Sequence, residues 1–354
     1  MANKVTGSTD TTGALSVAPK MQKSALLIGQ KSGTTTATVN PNTVFSITGT
    51  ADAGEKFGGE SIMVKAVKAL IQNGIDTFYG VIVDSTVGEG GAIATNYGNA
   101  LQASLGEKSC QFVVLDNYDN AVITELKTHL AMAESEDLFR YAVVAGTSSD
   151  NDALVEQSEA IGDSRIFVAG PEFTNDGTTS TNATIVVAGV TGAIMVELSG
   201  DPALPMNGVA VNGIGSVKKS MLESEKKLLG ENGVTVLYND GTPKIHRLVT
   251  SSSDEIWKEG TTRFIADYVL ENVENTLRAN YQRTKNVVRI LDSIKTTVKG
   301  LLENFEGLEI IENFDPATLT VVKDPTDVYG ALVDYEFDVV TPLYTITIKQ
   351  HMKL

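Results

Sequence analysis

The pattern of apolar and polar residues changes along the chain, and the change predicts two kinds of β-sheet. In the first half, strand-like segments such as SALLIGQ, DTFYGVIVD and QFVVLDNY are short, continuous apolar runs. Continuous runs of this kind are typical of parallel strands covered on both faces. Near the end, apolar residues at every second position from Val333 to Val339 alternate with acidic ones. That alternation predicts a half-exposed antiparallel strand.

Helix-type periodicity lies between the continuous strands. Segments such as IMVKAVKALIQNG and NAVITELKTHLAMAESED alternate with strands from about residue 60 to residue 175. This order predicts a doubly wound parallel α/β unit. The apolar segment from Ala183 to Val196 contains glycine and threonine and is shorter than the ~20 residues that a membrane-spanning helix needs. We therefore expect a buried helix there.

The second half has a different organisation. A short helix is followed by a hairpin that turns at Asn239–Gly241, then by two long amphipathic helices and the alternating terminal strands. The predicted fold class is therefore α/β plus α+β, in which a helix pair and an antiparallel sheet follow the parallel unit. The expected divisions are an amino-terminal arm at 1–23, an α/β domain at 24–200, an α+β domain at 201–342 and a carboxyl-terminal strand or arm at 343–354.

Both ends of the chain have patterns that predict segments without a partner in their own fold. Residues 1–23 are rich in small and polar residues, and Leu15 and Val17 are among their few large apolar side chains. Such a segment cannot bury enough surface to order itself, so we expect an arm that folds on something else. At the other end Pro342 interrupts the alternation, which resumes over 343–350 as a strand with no evident partner.

Charge and cysteine content restrict the function. The 354 residues carry a formal net charge of -16, so the chain has no basic surplus for binding nucleic acid or an anionic membrane. The single cysteine, Cys110, cannot form an internal disulfide and is expected to be a small buried hydrophobe. The amino terminus lacks the pattern of a signal peptide, which favours a protein made and kept in a cytoplasm.

The sequence contains no convincing reactive site. His129, His246 and His351 have no further ligand at metal-binding spacing, and His129 is expected at the surface or its boundary. We expect no catalytic residue, no metal and no cofactor. The loop with Gly88, Gly90 and Gly91 lies between a strand and a helix but lacks the full dinucleotide-binding spacing. It leaves two alternatives open, a periplasmic-type small-molecule binding protein and a nucleotide-binding α/β enzyme.

Two stretches resemble the tail sheath proteins of contractile phages, related contractile injection particles and R-type bacteriocins. The first is EKFGGESIMVKAVKALIQNGIDTFYGVIV at 55–83, and the second runs from 201 to 252 and ends in the hairpin GVTVLYNDGTPKIHRLVTS. The Pro-Gly-Val-Tyr type of segment with which many sheath proteins begin does not occur before Ser24. The positions that match the family pattern are Phe57, Gly58, Ser61, Asn73, Gly74, Tyr79, Gly233, Val234, Gly241, Ile245, Arg247 and Thr250.

The resemblance implies a structural subunit that polymerises as stacked hexameric rings around a tail tube and contracts to drive the tube through a cell envelope. It also implies that terminal arms add strands to neighbouring subunits, with Pro342 as the hinge. The implied partners are copies of the chain, the tube protein, the baseplate and the tail terminator, in a virion tail assembled in the host cytoplasm. The residues assigned to the intersubunit strand are Leu343, Tyr344, Thr345, Ile346, Thr347, Ile348 and Lys349.

Overall fold

The structure is a computed structural model that describes residues 24–33, 35–84, 91–172, 182–217, 219–344 and 349–350, without the side chains of 91 and 92. Its contacts divide these residues into two compact units. The first, here called the α/β unit, contains the described residues up to Phe264 and those from Pro342 onward. The second, the helix-pair unit, contains Ile265–Thr341.

Strands and helices alternate from residue 77 to residue 198, after two strands and two helices that follow one another directly. The strands are β1 (Ser24–Gly29), β2 (Val44–Ile47), β3 (Thr77–Ile82), β4 (Phe112–Leu115), β5 (Tyr141–Ala145), β6 (Ile166–Gly170), β7 (Val234–Asp240), β8 (Thr242–Arg247), β9 (Ile311–Glu312), β10 (Thr320–Lys323), β11 (Ala331–Asp334) and β12 (Asp338–Val339). The helices are α1 (Thr50–Phe57), α2 (Ile62–Gln72), α3 (Gly91–Ala103), α4 (Asn120–Ser135), α5 (Asn151–Ile161), α6 (Ala183–Leu198), α7 (Glu223–Glu231), α8 (Gly260–Tyr281) and α9 (Val288–Gly307).

An eight-stranded sheet with the order β2-β3-β1-β4-β5-β6-β7-β8 forms the centre of the α/β unit. The six strands from β3 to β7 in this order pair in parallel, whereas β2 and β8 are antiparallel at the two edges. The predicted fold class is confirmed. The sequence division at 200/201 separated the hairpin β7–β8 from the parallel strands, but the structure includes it in the same sheet, and the two units divide after Phe264.

Apolar side chains cover both faces of this sheet. Every residue of β1 is buried, and Leu26 and Ile28 pack with α3 and α4 on one face. On the other face, Tyr141 lies edge-on to Phe264, with ring centroids 4.7 Å apart. This cluster of rings explains why the strands read as continuous apolar runs, because each side chain has a covered face to enter. Phe112 and Phe167 complete the cluster.

The helix α6 is buried along nearly its whole length, as the sequence predicted. It packs against α2, β4 and β5 inside the α/β unit. No helix within the described residues is both long and apolar enough to cross a membrane.

The expectation that His129 lies at the surface is wrong. His129 is only 3% exposed, and its Nε2 lies 3.0 Å from a guanidinium nitrogen of Arg140, which is itself fully buried. Arg140 donates to the hydroxyl and the carbonyl oxygen of Ser104 at 3.1 and 2.9 Å. Burial, together with the nearby Arg140 charge, lowers the pKa of His129 to about 3. Arg140 lies outside α4, just before β5, so the helix pattern alone could not show this partner.

The helix-pair unit packs α8 and α9 through residues such as Tyr268 and Phe305, whose rings are 5.5 Å apart. Its strands form two small antiparallel sheets, β10–β11 and β9–β12. The alternation from Val333 to Val339 is present, with the apolar positions half-buried and the acidic ones exposed. It does not form one strand, however, because β11 pairs with β10 and β12 pairs with β9.

Candidate assembly interface

Most of the family-pattern positions hold local structure together. Phe57 is fully buried and its ring lies 5.5 Å from that of Phe45. Ser61 caps α2, and its hydroxyl accepts a hydrogen bond from the N–H of Met63. Gly58 has a positive φ of 104°, and a Cβ there would lie 1.7 Å from the carbonyl oxygen of Ser32. Only glycine fits this close approach of two backbones.

Asn73 and Gly74 end α2 and join it to a distant loop. The Asn73 amide donates to the carbonyl oxygens of Ala69 and Asn212, both at 2.8 Å, and its oxygen accepts from the N–H of Asn212 at 2.9 Å. Gly74 follows with a φ of 88°. The pair therefore fixes the loop beyond α6 onto the α/β unit.

The second family stretch has the same structural character. Gly233 has a φ of 78°, and its carbonyl accepts a hydrogen bond from the Ser158 hydroxyl at 2.8 Å. Thr250 is fully buried and donates to the carbonyl of Trp257 at 2.7 Å. Gly241 lies at the hairpin turn between β7 and β8, as predicted. Tyr79 lies in β3, Val234 begins β7, and Ile245 is buried in β8.

Arg247 differs from the other family-pattern positions because it reaches the end of the chain. Its Nε and one terminal nitrogen donate to Oε2 of Glu259 at 3.0 and 2.6 Å. The hydroxyl of Tyr344 donates to Oε1 of the same carboxylate, and the Arg247 guanidinium lies 4.9 Å from the centre of the Tyr344 ring. Burial and the Glu259 carboxylate raise the pKa of Tyr344 above its usual value. Sequence reasoning missed Glu259, since nothing in its local pattern marks it.

The remaining predicted terminal residues are only partly described. Pro342 and Leu343 belong to no strand, and the side chain of Leu343 is 69% exposed. Lys349 is exposed and likewise outside any strand. The residues Thr345, Ile346, Thr347 and Ile348 lie outside the described residues, as do Leu15 and Val17. The intersubunit strand and the hinge therefore remain predictions.

The two-stranded sheet β10–β11 exposes both its apolar side chains and its edges. Val322 lies directly opposite Leu332, and each is 47% exposed. The connecting loop carries Val328 and Tyr329, which are 85% and 92% exposed. Within the described residues neither strand has a second neighbour. An exposed apolar pair on a two-stranded sheet with open edges is typical of a surface that another chain covers.

The residues behind the rival interpretations do not assemble a reactive centre in the described part of the chain. Gly88 and Gly90 lie outside it, and Gly91 begins α3. At the adjoining edge of the sheet, Asp116 accepts hydrogen bonds from the backbone N–H of Gln30 at 2.7 Å and from the Tyr97 hydroxyl. This carboxylate therefore ties two strands and α3 together.

The structure also shows the surroundings of Cys110 and His246, which were candidate reactive residues in the sequence. Cys110 is buried, as predicted, and burial raises its pKa to about 12. His246 lies 3.4 Å from Glu223, and His351 is outside the described residues. No group of His, Cys, Asp and Glu side chains in the described ranges has the arrangement of a metal site.

Comparison with known proteins gives consistent results over most of the chain. A family model described as "Phage tail sheath protein central domain" matches residues 90–251, and one described as "Phage tail sheath C-terminal domain" matches residues 252–353. No curated protein sequence matches the chain closely enough to count as a relative.

Solved structures share the fold at low sequence identity. The helical sheath of the anti-feeding prophage in its contracted state aligns with a TM-score of 0.73 at 14% identity, over 100% of this chain and 99% of that one. The sheath complex of an extracellular contractile injection system, also contracted, aligns with a TM-score of 0.70 at 13% identity, over 100% and 97%. A sheath tail protein from Listeria innocua aligns with a TM-score of 0.69 at 13% identity, over 94% and 95%.

Proposed function

This chain belongs to the phage tail sheath protein family, and we propose that its copies stack as hexameric rings around a tail tube and contract to drive the tube through a cell envelope. Donated β-strands link the subunits. The partners are further copies, the tube protein, the baseplate and the tail terminator, and assembly takes place in the host cytoplasm. The subunit has a mechanical role and neither catalyses a reaction nor binds nucleic acid or inserts into a membrane.

The observation that carries this proposal is the open β10–β11 sheet. β10 already contacts α9, but the sheet has no third strand within the described residues, and a third strand with a buried apolar face would stabilise it. Val322 and Leu332 already form an apolar pair on this sheet. Each backbone hydrogen bond from an added strand contributes a net of about 0.5–1.5 kcal/mol. Burying Ile346 and Ile348 on a neighbour would add several kcal/mol more.

The α/β unit suits a subunit that moves as a rigid body. The central strands of its eight-stranded sheet are buried throughout, and the loop at Asn212 is fixed by hydrogen bonds to Asn73. Contraction then consists of exchanging one set of surface contacts for a more favourable set, while the donated strands keep the subunits linked. The free-energy difference, summed over many subunits, supplies the work without a nucleotide. The aligned sheath structures of the anti-feeding prophage include contracted assemblies, which supports this mechanism.

The experiment that tests the proposal is deletion of residues 343–354. The purified full-length chain should form rings or long hollow tubes in negative-stain microscopy. The truncated chain should remain a folded monomer, because the lost strand serves a neighbour. Circular dichroism and thermal unfolding report whether the monomer is folded. If the deletion unfolds the chain, the segment belongs to its own core; if polymers persist, strand donation is wrong.

A pair of substitutions refines this test within the same segment. In a donated strand, Ile346 and Ile348 lie on one face and Thr345 and Thr347 on the other. Changing both isoleucines to aspartate should abolish polymers, because it places charge on the buried face. Changing both threonines to serine is the matched control and should leave polymers intact. Equal behaviour of the two variants would contradict a strand with one buried face.

A further inference from the structure

The carboxylate of Glu259 has two partners, one on each oxygen. Oε2 accepts hydrogen bonds from Nε and one terminal nitrogen of Arg247. Oε1 accepts a hydrogen bond from the hydroxyl of Tyr344. Hydrogen bonds to a charged acceptor are roughly twice as strong as neutral ones. Glu259 therefore holds an arginine from the edge strand β8 and a tyrosine from the carboxyl-terminal segment at the same time.

The backbone around Glu259 is held in place independently of this contact. Glu259 forms an antiparallel bridge with Val249, and the flanking residues bond to the same segment, with Gly260 donating to Leu248 at 3.1 Å and Thr250 donating to Lys258 at 2.8 Å. The side chain is largely buried. The carboxylate consequently has a fixed position on the α/β unit, close to the start of α8.

Tyr344 is held by its ring as well as by its hydroxyl. The guanidinium of Arg247 lies over the ring, 4.9 Å from its centre, which is within cation–π range. The preceding residue behaves differently, since the Leu343 side chain is 69% exposed. Tyr344 is therefore the point at which the described terminal segment attaches to its own subunit.

We propose that Glu259 and Arg247 anchor the root of the donated strand on the subunit that donates it, so that the residues passed to the neighbour begin after Tyr344. The proposal rests on the proposed function, in particular on strand donation. It changes the sequence prediction in one respect, since Tyr344 stays with its own subunit and the hinge lies beyond Pro342. A fixed root reduces the conformational entropy that the arm loses when it binds a neighbour.

Cross-linking of assembled polymers tests on which subunit Tyr344 lies. Cysteines replace Leu343 and Lys258, each adjacent to a contact residue, in a Cys110→Ala background, so that the anchor itself is unchanged. A short bifunctional maleimide should give a product that keeps the mass of one subunit, in polymers as in monomers. A ladder of multimers would overturn the proposal, because Tyr344 would then lie on a neighbour. Loss of the link on assembly would overturn it too, since the root would be released.

Assembly measurements test whether the anchor contributes to polymerisation. Tyr344→Phe removes the hydroxyl and keeps the ring, and Tyr238→Phe is the matched control in β7, where the ring contacts Lys226. Loss of a hydrogen bond to a carboxylate should raise the critical concentration for assembly by about tenfold or more. Glu259→Gln should act in the same direction, and the control should assemble normally. An unchanged critical concentration in both anchor variants would overturn the proposal.

The failure of strand donation gives a different result. A chain that ends at Tyr344 keeps the anchor and loses the donated residues. If this chain polymerises as the intact one does, the proposed function is wrong in its linkage, whatever the cross-links show. If it stays monomeric and still gives the one-subunit cross-link, both proposals are supported.

Discussion

The two kinds of sheet in this protein differ in what covers them. All six residues of β1 are buried, and the strand has a parallel neighbour on each side. In β11 only Val333 is even half-buried, and within the described residues the strand has β10 as its single neighbour. The central strands of the first sheet are covered within the chain, whereas the second sheet is the one that we propose a neighbouring subunit completes. The difference suggests that folding depends mainly on the α/β unit and assembly on the small sheets.

The largest expected effect is loss of an aromatic side chain that packs onto the parallel sheet from α8. Phe264→Ala should lower the free energy of unfolding by about 3–5 kcal/mol, because Phe264 is fully buried among Tyr141, Phe112 and Phe167. Phe337→Ala, the matched control, removes the same group from a half-buried position and should cost roughly 1 kcal/mol. Denaturant unfolding measures both. Equal losses would contradict the contrast between the covered parallel sheet and the half-exposed segment that joins β11 to β12.

A smaller effect concerns pH and the buried His129. Its pKa is lowered to about 3, whereas in the unfolded chain it is near 6.5, so protonation favours unfolding. The contribution of the neutral, buried imidazole to the free energy of unfolding is fully present above pH 6.5. It is lost at roughly 1.4 kcal/mol per pH unit as the pH falls from 6.5 toward 3. Urea unfolding of His129→Gln at several pH values should show a shallower dependence.

His246→Gln provides the comparison for that measurement. His246 is half-exposed, and burial lowers its pKa despite the opposing effect of Glu223. Its replacement should change the pH dependence of unfolding less than replacement of His129 does. If His129→Gln retained the full pH dependence of the native chain, His129 would not be the group that causes it.

The smallest expected effect on stability is at the exposed loop of the helix-pair unit. Replacing Val328 and Tyr329 by serine should change the free energy of unfolding by less than about 0.5 kcal/mol, because both side chains are almost fully exposed. If this surface is covered on assembly, the same variant should polymerise less well in sedimentation assays. Normal polymerisation would show that the loop lies outside the interface and would restrict assembly to the sheet edges.

Much of the fold could be predicted from the sequence because its signals are local. The continuous apolar runs of β1 and β4 reflect burial on both faces, and the alternation after Val333 reflects burial on one face. The buried α6 and Cys110 followed from the same reasoning. The burial of His129 could not be predicted, since Arg140 comes from another element. The split between β11 and β12 depends on which strands pair, and pairing has no local signal.

The candidate site, like the fold, could be predicted from the sequence only in part. The sequence marked Arg247 as a family position and Tyr344 as part of a terminal strand, but it did not bring them together. Their meeting depends on Glu259, which binds both and lies 85 residues before Tyr344. The donated strand itself remains a prediction, because Thr345 to Ile348 lie outside the described residues.

The sequence by itself determined the fold class, the family resemblance and the presence of a strand pattern at the terminus. These depend on periodicity and short motifs, which neighbouring residues encode. Only the tertiary structure decided that the β7–β8 hairpin joins the parallel sheet, that Arg140 encloses His129 and that Glu259 joins Arg247 to Tyr344. These contacts join residues from different parts of the fold, which lie between 11 and 85 positions apart in the sequence. A burial pattern says that a side chain is covered, and only the packed structure says by what.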